Sequence, residues 1–191
     1  MIARIFAFGL AACWDASALA QTQAEWLVQA PLPELVVGFE REEGGSSIVE
    51  RIPPGETVQA WSRMATTQRF AGAIAGGITL EAWAEGFFGG LRSSCPGYRA
   101  TTPRYSGAGG HPTVEFRVDC PLNPATGRPE TFLLRAFAGA ADLHVVQVAF
   151  RHVPSSDEVE WAQAHLATAI LCSRTSPDSR CGAVPAAADK R

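Results

Sequence analysis

Residues 50–70 read ERIPPGETVQAWSRMATTQRF, and the fold turns on whether they are a loop laid out with ligands or a turn that feeds a strand. Pro54-Gly55 suits the two central positions of a type II turn, where proline presets φ and glycine accepts a positive φ. Beyond Trp61, the residues Met64, Thr66, Gln68 and Phe70 alternate, so an extended backbone over Arg63 to Phe70 places them on one side. Where that side is covered, Thr66 and Gln68 need hydrogen-bond partners, which a neighbouring strand or loop supplies. Trp61 buries a large ring and anchors the turn. The stretch is therefore read as a turn and a strand. Trp61, Thr66 and Gln68 stay in view as a candidate binding groove, because a pocket beside polar side chains is compatible with the same pattern.

Working outward, Leu35 to Phe39 is a short apolar run and a strand. Arg41 to Ser47 (REEGGSS) is charged and glycine-rich and reads as a turn, and Ile48 to Ile52 returns as the second arm of a hairpin. Downstream, Leu80, Trp83, Ala84, Phe87, Phe88 and Leu91 recur at helical spacing, which predicts a helix over Thr79 to Ser93 capped by Thr79 and ended by Pro96-Gly97. Val114, Phe116, Val118 and Cys120 alternate with polar residues, as in a half-buried strand. After a loop over Leu122 to Pro129, Thr131 to Ala138 and Leu143 to Arg151 form two strands of a hairpin. Ser155 and Glu158 make a capping box that opens a helix running to about Cys172.

Strands and helices in this order are too segregated for βαβ winding. The class is α+β, an antiparallel sheet with two main helices packed against it. The order of elements resembles the PsbP/Mog1-like sandwich, and the pattern PPGETVQAWSRMATTQRF…CPG…DCP…GRPETF…VVQVAFR…CS is similar to that of exported bacterial proteins without an assigned role. The resemblance covers about Leu35 to Ser173. Its motifs are structural, so it implies an architecture and no activity.

Residues 1–20 (MIARIFAFGLAACWDASALA) have the order of a secretory signal peptide: Arg4, an apolar run, then Ala18-Leu19-Ala20 at the cleavage site. Residues 21–34 are a lead-in segment, 35–173 a single α+β domain, and 174–191 a mostly disordered tail apart from Cys181. A periplasmic or secreted protein is expected. Leu10-Ala11-Ala12-Cys13 offers the alternative of a lipoprotein anchored through Cys13. No later apolar run reaches the roughly 18 residues of a spanning helix, so no transmembrane span is expected after cleavage. Four cysteines remain after cleavage, Cys95, Cys120, Cys172 and Cys181. An oxidising compartment makes two disulfides of them, and their placement favours Cys95 with Cys120 and Cys172 with Cys181. A bond between the first pair would tie the first helix to the sheet, and one between the second would fold the tail onto the last helix.

The net charge of −3 and the lack of a basic run argue against nucleic acid as a partner. The four histidines, His111, His144, His152 and His165, make no metal set. His144 and His152 share strand parity, but eight residues of strand would hold them roughly 26 Å apart. Neither a G-x-S-x-G elbow nor a phosphate loop is completed, and Ser106 to Gly110 reads as a loop between strands. Glu115, Asp119 and Glu130 read as carboxylates of a solvated sheet face. No cofactor and no metal are expected, and no catalytic residue is assigned. The expectation is a non-enzymatic binding or envelope-associated module that takes an envelope protein or a small ligand. The alternative is a hydrolase with scattered catalytic residues, which should bring His111 or His144 beside a carboxylate in a concave pocket.

Overall fold

The computed structural model of the protein describes residues 25–108 and 110–182; the expected signal segment, Cys13 and the end of the tail lie outside the described residues. Residues 50–70 are a turn and a strand. Glu56 N closes on Pro53 O at 3.2 Å and Gly55 has φ +86°, the glycine position of a type II turn. The strand β4 that follows spans Arg63–Phe70. It pairs on one side with β3 (Ser46–Ile52) and on the other with β9 (Leu143–Phe150).

Eight strands make one antiparallel sheet. From one edge they run β2 (Val36–Glu43), β3, β4, β9, β8 (Arg128–Ala138) and β7 (His111–Asn123), with β5 (Arg99–Ala100) and β6 (Arg104–Ala108) both on the outer side of β7. Helix α1 (Leu80–Ser94) and helix α2 (Ser156–Thr168) cover opposite faces. Under α1 lie Met64, Val114, Phe116, Phe132, Leu134 and Val145; under α2 lie Leu133, Phe137, Val146, Val148 and Phe150. Burial from both sides explains why β8 and β9 read as nearly continuous apolar runs rather than strict alternations. This is the expected α+β class.

Both helices start as their caps dictate. Thr79 accepts from Ala82 N, and Ser155 and Glu158 form the reciprocal box. Several boundaries differ from the sequence reading, each for a local reason. The first hairpin turn is only Gly44-Gly45, with φ of +57° and +80°, so Arg41 to Glu43 extend β2 instead of joining the turn. Ser106 to Ala108, expected in a loop, pair with β7 as part of β6, and the chain reverses only before His111. The last helix stops at Thr168 rather than Cys172. Arg135 Nη1 donates to the carbonyls of Leu166, Ala167 and Ala169 at 3.1, 3.5 and 3.3 Å, satisfying the helix end and placing a cation at its negative pole. Ile170–Cys172 then becomes β10, which pairs with β1 (Trp26–Val28) in a two-stranded ribbon. The ribbon lays Leu27 and Leu171 onto the α2 face.

The segment read as a lead-in thus supplies a strand, and residues 174–182 of the segment read as a tail carry a 3-10 turn at Ser179–Cys181. The two disulfides are Cys95–Cys120 and Cys172–Cys181, with Cα atoms 5.9 and 5.4 Å apart. The first joins the end of α1 to β7. The second closes the chain after β10 onto itself.

Candidate functional site

The three residues read as a candidate groove, Trp61, Thr66 and Gln68, have different settings. Trp61 is buried in the α1-side core, and the Arg151 guanidinium lies 4.1 Å above its ring while Nη1 donates to Gln59 O at 2.6 Å. Thr66 is buried in the sheet between Glu50 and Gln147. Gln68 lines a shallow depression of about 250 Å³ beside Ile48, Arg69 and Phe70. Trp61 and Thr66 pack into the fold, and Gln68, two residues beyond Thr66 on the same side of β4, lines the depression without them.

The carboxylates expected on a solvated face are instead paired. Glu115 meets Arg135 Nε at 2.8 Å and Arg104 Nη2 at 3.1 Å, Asp119 holds Arg117 and Thr131, and Glu130 accepts from Asn123. Of the histidines, His152 bonds Glu158 at 3.1 Å beside the α2 cap. His165 stacks on Trp161 at 6.2 Å, and burial, helped by Arg51 and opposed by Glu34, holds its imidazole below the usual range. His144 sits on β9 under the α2 face. Burial pushes its pKa to about 4 against the pull of Asp142, with Arg69 and His111 pushing the same way. It is neutral at pH 7.

His111 has a different setting. It opens β7 at the hairpin end of the sheet, where the β8–β9 turn, the residue before β1 and the chain after β10 converge. They enclose a cavity of about 390 Å³. Glu25 enters this cavity from the N-terminal side, with a side chain only 6% exposed. Both of its oxygens accept from Ala140 N at 2.9 Å, clamping the segment before β1 to the β8–β9 turn. Gly139 makes the clamp feasible, because a Cβ there would overlap the Glu25 carboxylate. His111 Nδ1 stands 3.7 Å from Glu25 Oε1, beyond hydrogen-bond length. The opposite wall carries hydroxyls: Ser173 N donates to Ser176 Oγ at 2.7 Å, and Ser173 Oγ lies 3.2 Å from both Thr175 Oγ1 and Ser176 Oγ.

Just behind the turn, Asp142 receives Arg69 Nε at 2.6 Å and Gly72 N at 2.7 Å. Burial alone would raise the Asp142 carboxyl, but these bonds and the Arg69 charge outweigh it and hold the group below its usual range. The hairpin end is therefore pinned from two directions, by Glu25 and by Arg69 through Asp142. Among the described residues no cluster of three or more His, Cys, Asp or Glu side chains forms that could hold a metal ion.

The sequence reading named His111 but missed Glu25, Ser173, Thr175 and Ser176. Three of these four lie outside the segment 35–173 read as the domain. The signal that would have found them is the late pair Cys172 and Cys181, which encloses Ser173 to Pro177 in a nine-residue span. A staple there implies an ordered loop.

These features define a disulfide-bonded α+β protein with a polar cavity at the hairpin end of its sheet. No family model matches the chain, and neither does any curated protein. A crystal structure of a Pseudomonas aeruginosa protein of unknown function, PA94, is similar at 14% identity, over 72% of this chain and 92% of that one, with a TM-score of 0.46. That likeness is too slight to carry a role across. No helix among the described residues is long and apolar enough to cross a membrane.

Proposed function

We propose that the protein is an exported, periplasmic or secreted, non-enzymatic binding module that takes a small ligand in the cavity at the hairpin end. The observation that carries this reading is the arrangement of the polar groups in that cavity. Its carboxylate accepts from one backbone N–H, its histidine stands off by 3.7 Å, and its hydroxyls bond to one another. Such groups can orient a ligand, whereas a serine nucleophile activated by His111 would be hydrogen-bonded to that base, with the base held by a third group. Export is supported by the signal-like order of residues 1–20 and by the two disulfides, which belong to oxidising surroundings.

Two measurements test this. Intact mass of the exported protein should give a chain beginning at Gln21, and a diacylglycerol adduct on a chain beginning at Cys13 would replace that maturation with lipidation. A fragment screen read by amide chemical shifts should find ligands that perturb Gly110, Gly139 and Ala140. A screen in which those amides never move would refute the binding site.

The hydrolase reading is favoured by one observation, a histidine beside a buried carboxylate in a concave site with hydroxyls opposite. It requires His111 to move onto both Glu25 and a serine. An activated acyl ester that labels Ser173 or Ser176, with labelling lost in His111→Ala, would establish it.

A further inference from the structure

Within the cavity, the Glu25 carboxylate is more than nine-tenths buried, yet its partners are one neutral backbone donor, Ala140 N, and a histidine outside hydrogen-bond range. An ionised carboxylate offers about four acceptor positions. Two contacts to a single N–H leave the others facing the cavity or His111. A buried anion so weakly compensated is costly unless a cation meets it. Among the described residues no lysine or arginine lines this cavity, although Arg69 and Arg135 serve other carboxylates elsewhere in the same sheet. Among the described residues, the carboxylate of this cavity thus has no arginine beside it.

The remaining lining sets the rest of the ligand. Ser173, Thr175 and Ser176 present hydroxyl groups that both donate and accept, so they match hydroxyls as well as an ammonium. The apolar wall is small, made of prolines and alanines such as Pro112, Ala138 and Pro177, and among the described residues no Phe, Tyr or Trp lines it. A volume of about 390 Å³ lies near the small end of the range for ligand pockets.

Resting on the binding-module reading, we infer that the cavity recognises a small hydroxylated primary amine, its ammonium on Glu25 and its hydroxyls on the Ser173–Ser176 loop. Amino sugars and amino alcohols share this chemistry. Anionic ligands are disfavoured by the same carboxylate.

The obvious rival is that Glu25 is only a clamp for the hairpin turn. Glu25→Gln separates the two roles, because the amide oxygen still accepts from Ala140 N while the charge is gone. The experiment is an amide-shift titration of the oxidised, full-length exported chain with glucosamine, ethanolamine, N-acetylglucosamine and acetate. Glucosamine should move Gly110, Gly139 and Ala140 saturably and at least tenfold more tightly than N-acetylglucosamine, which has lost the ammonium. Acetate should do nothing. Ethanolamine binding as tightly as glucosamine would assign the site to amino alcohols, and a clear preference for glucosamine to amino sugars; both agree with the inference. Glu25→Gln should weaken glucosamine at least tenfold without lowering the urea midpoint.

Equal binding of glucosamine and N-acetylglucosamine would overturn the ammonium inference while leaving the cavity a binding site. That comparison uses the unaltered protein, so it decides the matter even if the variant fails to fold. Retention of glucosamine affinity in a folded Glu25→Gln would overturn the inference equally. A cavity whose amides respond to none of the four probes overturns it too, and if the wider fragment screen is equally silent the binding-module reading falls with it.

Discussion

At the scale of single residues, the buried histidine on β9 makes stability depend on pH. His144 is neutral in the fold, with its pKa pushed by burial from 6.5 to about 4. In the interval between those values the unfolded chain binds a proton that the folded chain refuses. Stability from this group is therefore complete above about pH 6.5 and is lost as pH falls toward 4, by an amount on the order of 3 kcal/mol over the interval. Urea melts at pH 4.5 and 7 should show the decline, and His144→Leu should flatten it. An unchanged slope in that variant would move the effect to other groups, with His165, whose imidazole burial also holds low, the next to test. Trp61 supports a second expectation. Its ring is buried in the core and covered by Arg151, so Trp61→Ala should cost about 3–5 kcal/mol, read as a fall in the urea midpoint. A melt left unchanged would mean that the indole contributes no packing, and would return residues 50–70 to consideration as a ligand loop.

At the scale of elements, α1 tests how far local propensity matters once an apolar stripe is packed. Gly86 and Gly90 lie on its exposed side, and a Cβ on either would meet nothing within 4 Å. Replacing each by alanine should stabilise the protein by about 0.5–1 kcal/mol, because glycine gives up more backbone freedom on folding. Thermal denaturation of the single and double variants checks this. A loss of stability would mean that the glycines allow a close approach that the isolated chain does not display. The same helix shows why much of the fold could be read from sequence. The stripe from Leu80 to Leu91, the Ser155–Glu158 box, the Pro54-Gly55 turn and the alternation of β7 are all signals carried within a few residues. What could not be read depends on distant partners. Ile170 to Cys172 follow a helix and become strand because Arg135 closes that helix and Trp26 to Val28 lie alongside. Ser106 to Ala108 have a loop composition and become strand because β7 offers them an edge. The cavity belongs to the second kind: Glu25 and Ser176 are 151 positions apart, and no local pattern connects them.

At the scale of the whole molecule, the two ends of the described chain meet on the α2 face and together build the cavity. β1 arrives with Glu25 just before it, and β10 leaves with Ser173 just after it. The two disulfides then divide the labour. Cys95–Cys120 ties α1 to β7, far along that strand from His111. Cys172–Cys181 holds Ser173 to Pro177, the hydroxyl wall of the cavity, against the ribbon. Closing spans of 25 and nine residues stabilises by roughly 3.5 and 2.6 kcal/mol on the chain-entropy estimate, so neither bond dominates the global balance. Their removal should nevertheless have different consequences. Replacing Cys172 and Cys181 by serine should abolish the glucosamine response at Gly110 and Ala140 while amide protection in β4, β8 and β9 persists, because those strands are buried from both faces without the ribbon loop. Replacing Cys95 and Cys120 should lower the urea midpoint and leave the glucosamine response intact below the transition. Hydrogen exchange combined with the glucosamine titration reads both quantities in one sample. If loss of Cys95–Cys120 emptied the site and loss of Cys172–Cys181 did not, the ligand would have to sit on the α1 face, and the cavity beside His111 would be only the seam where the chain ends join.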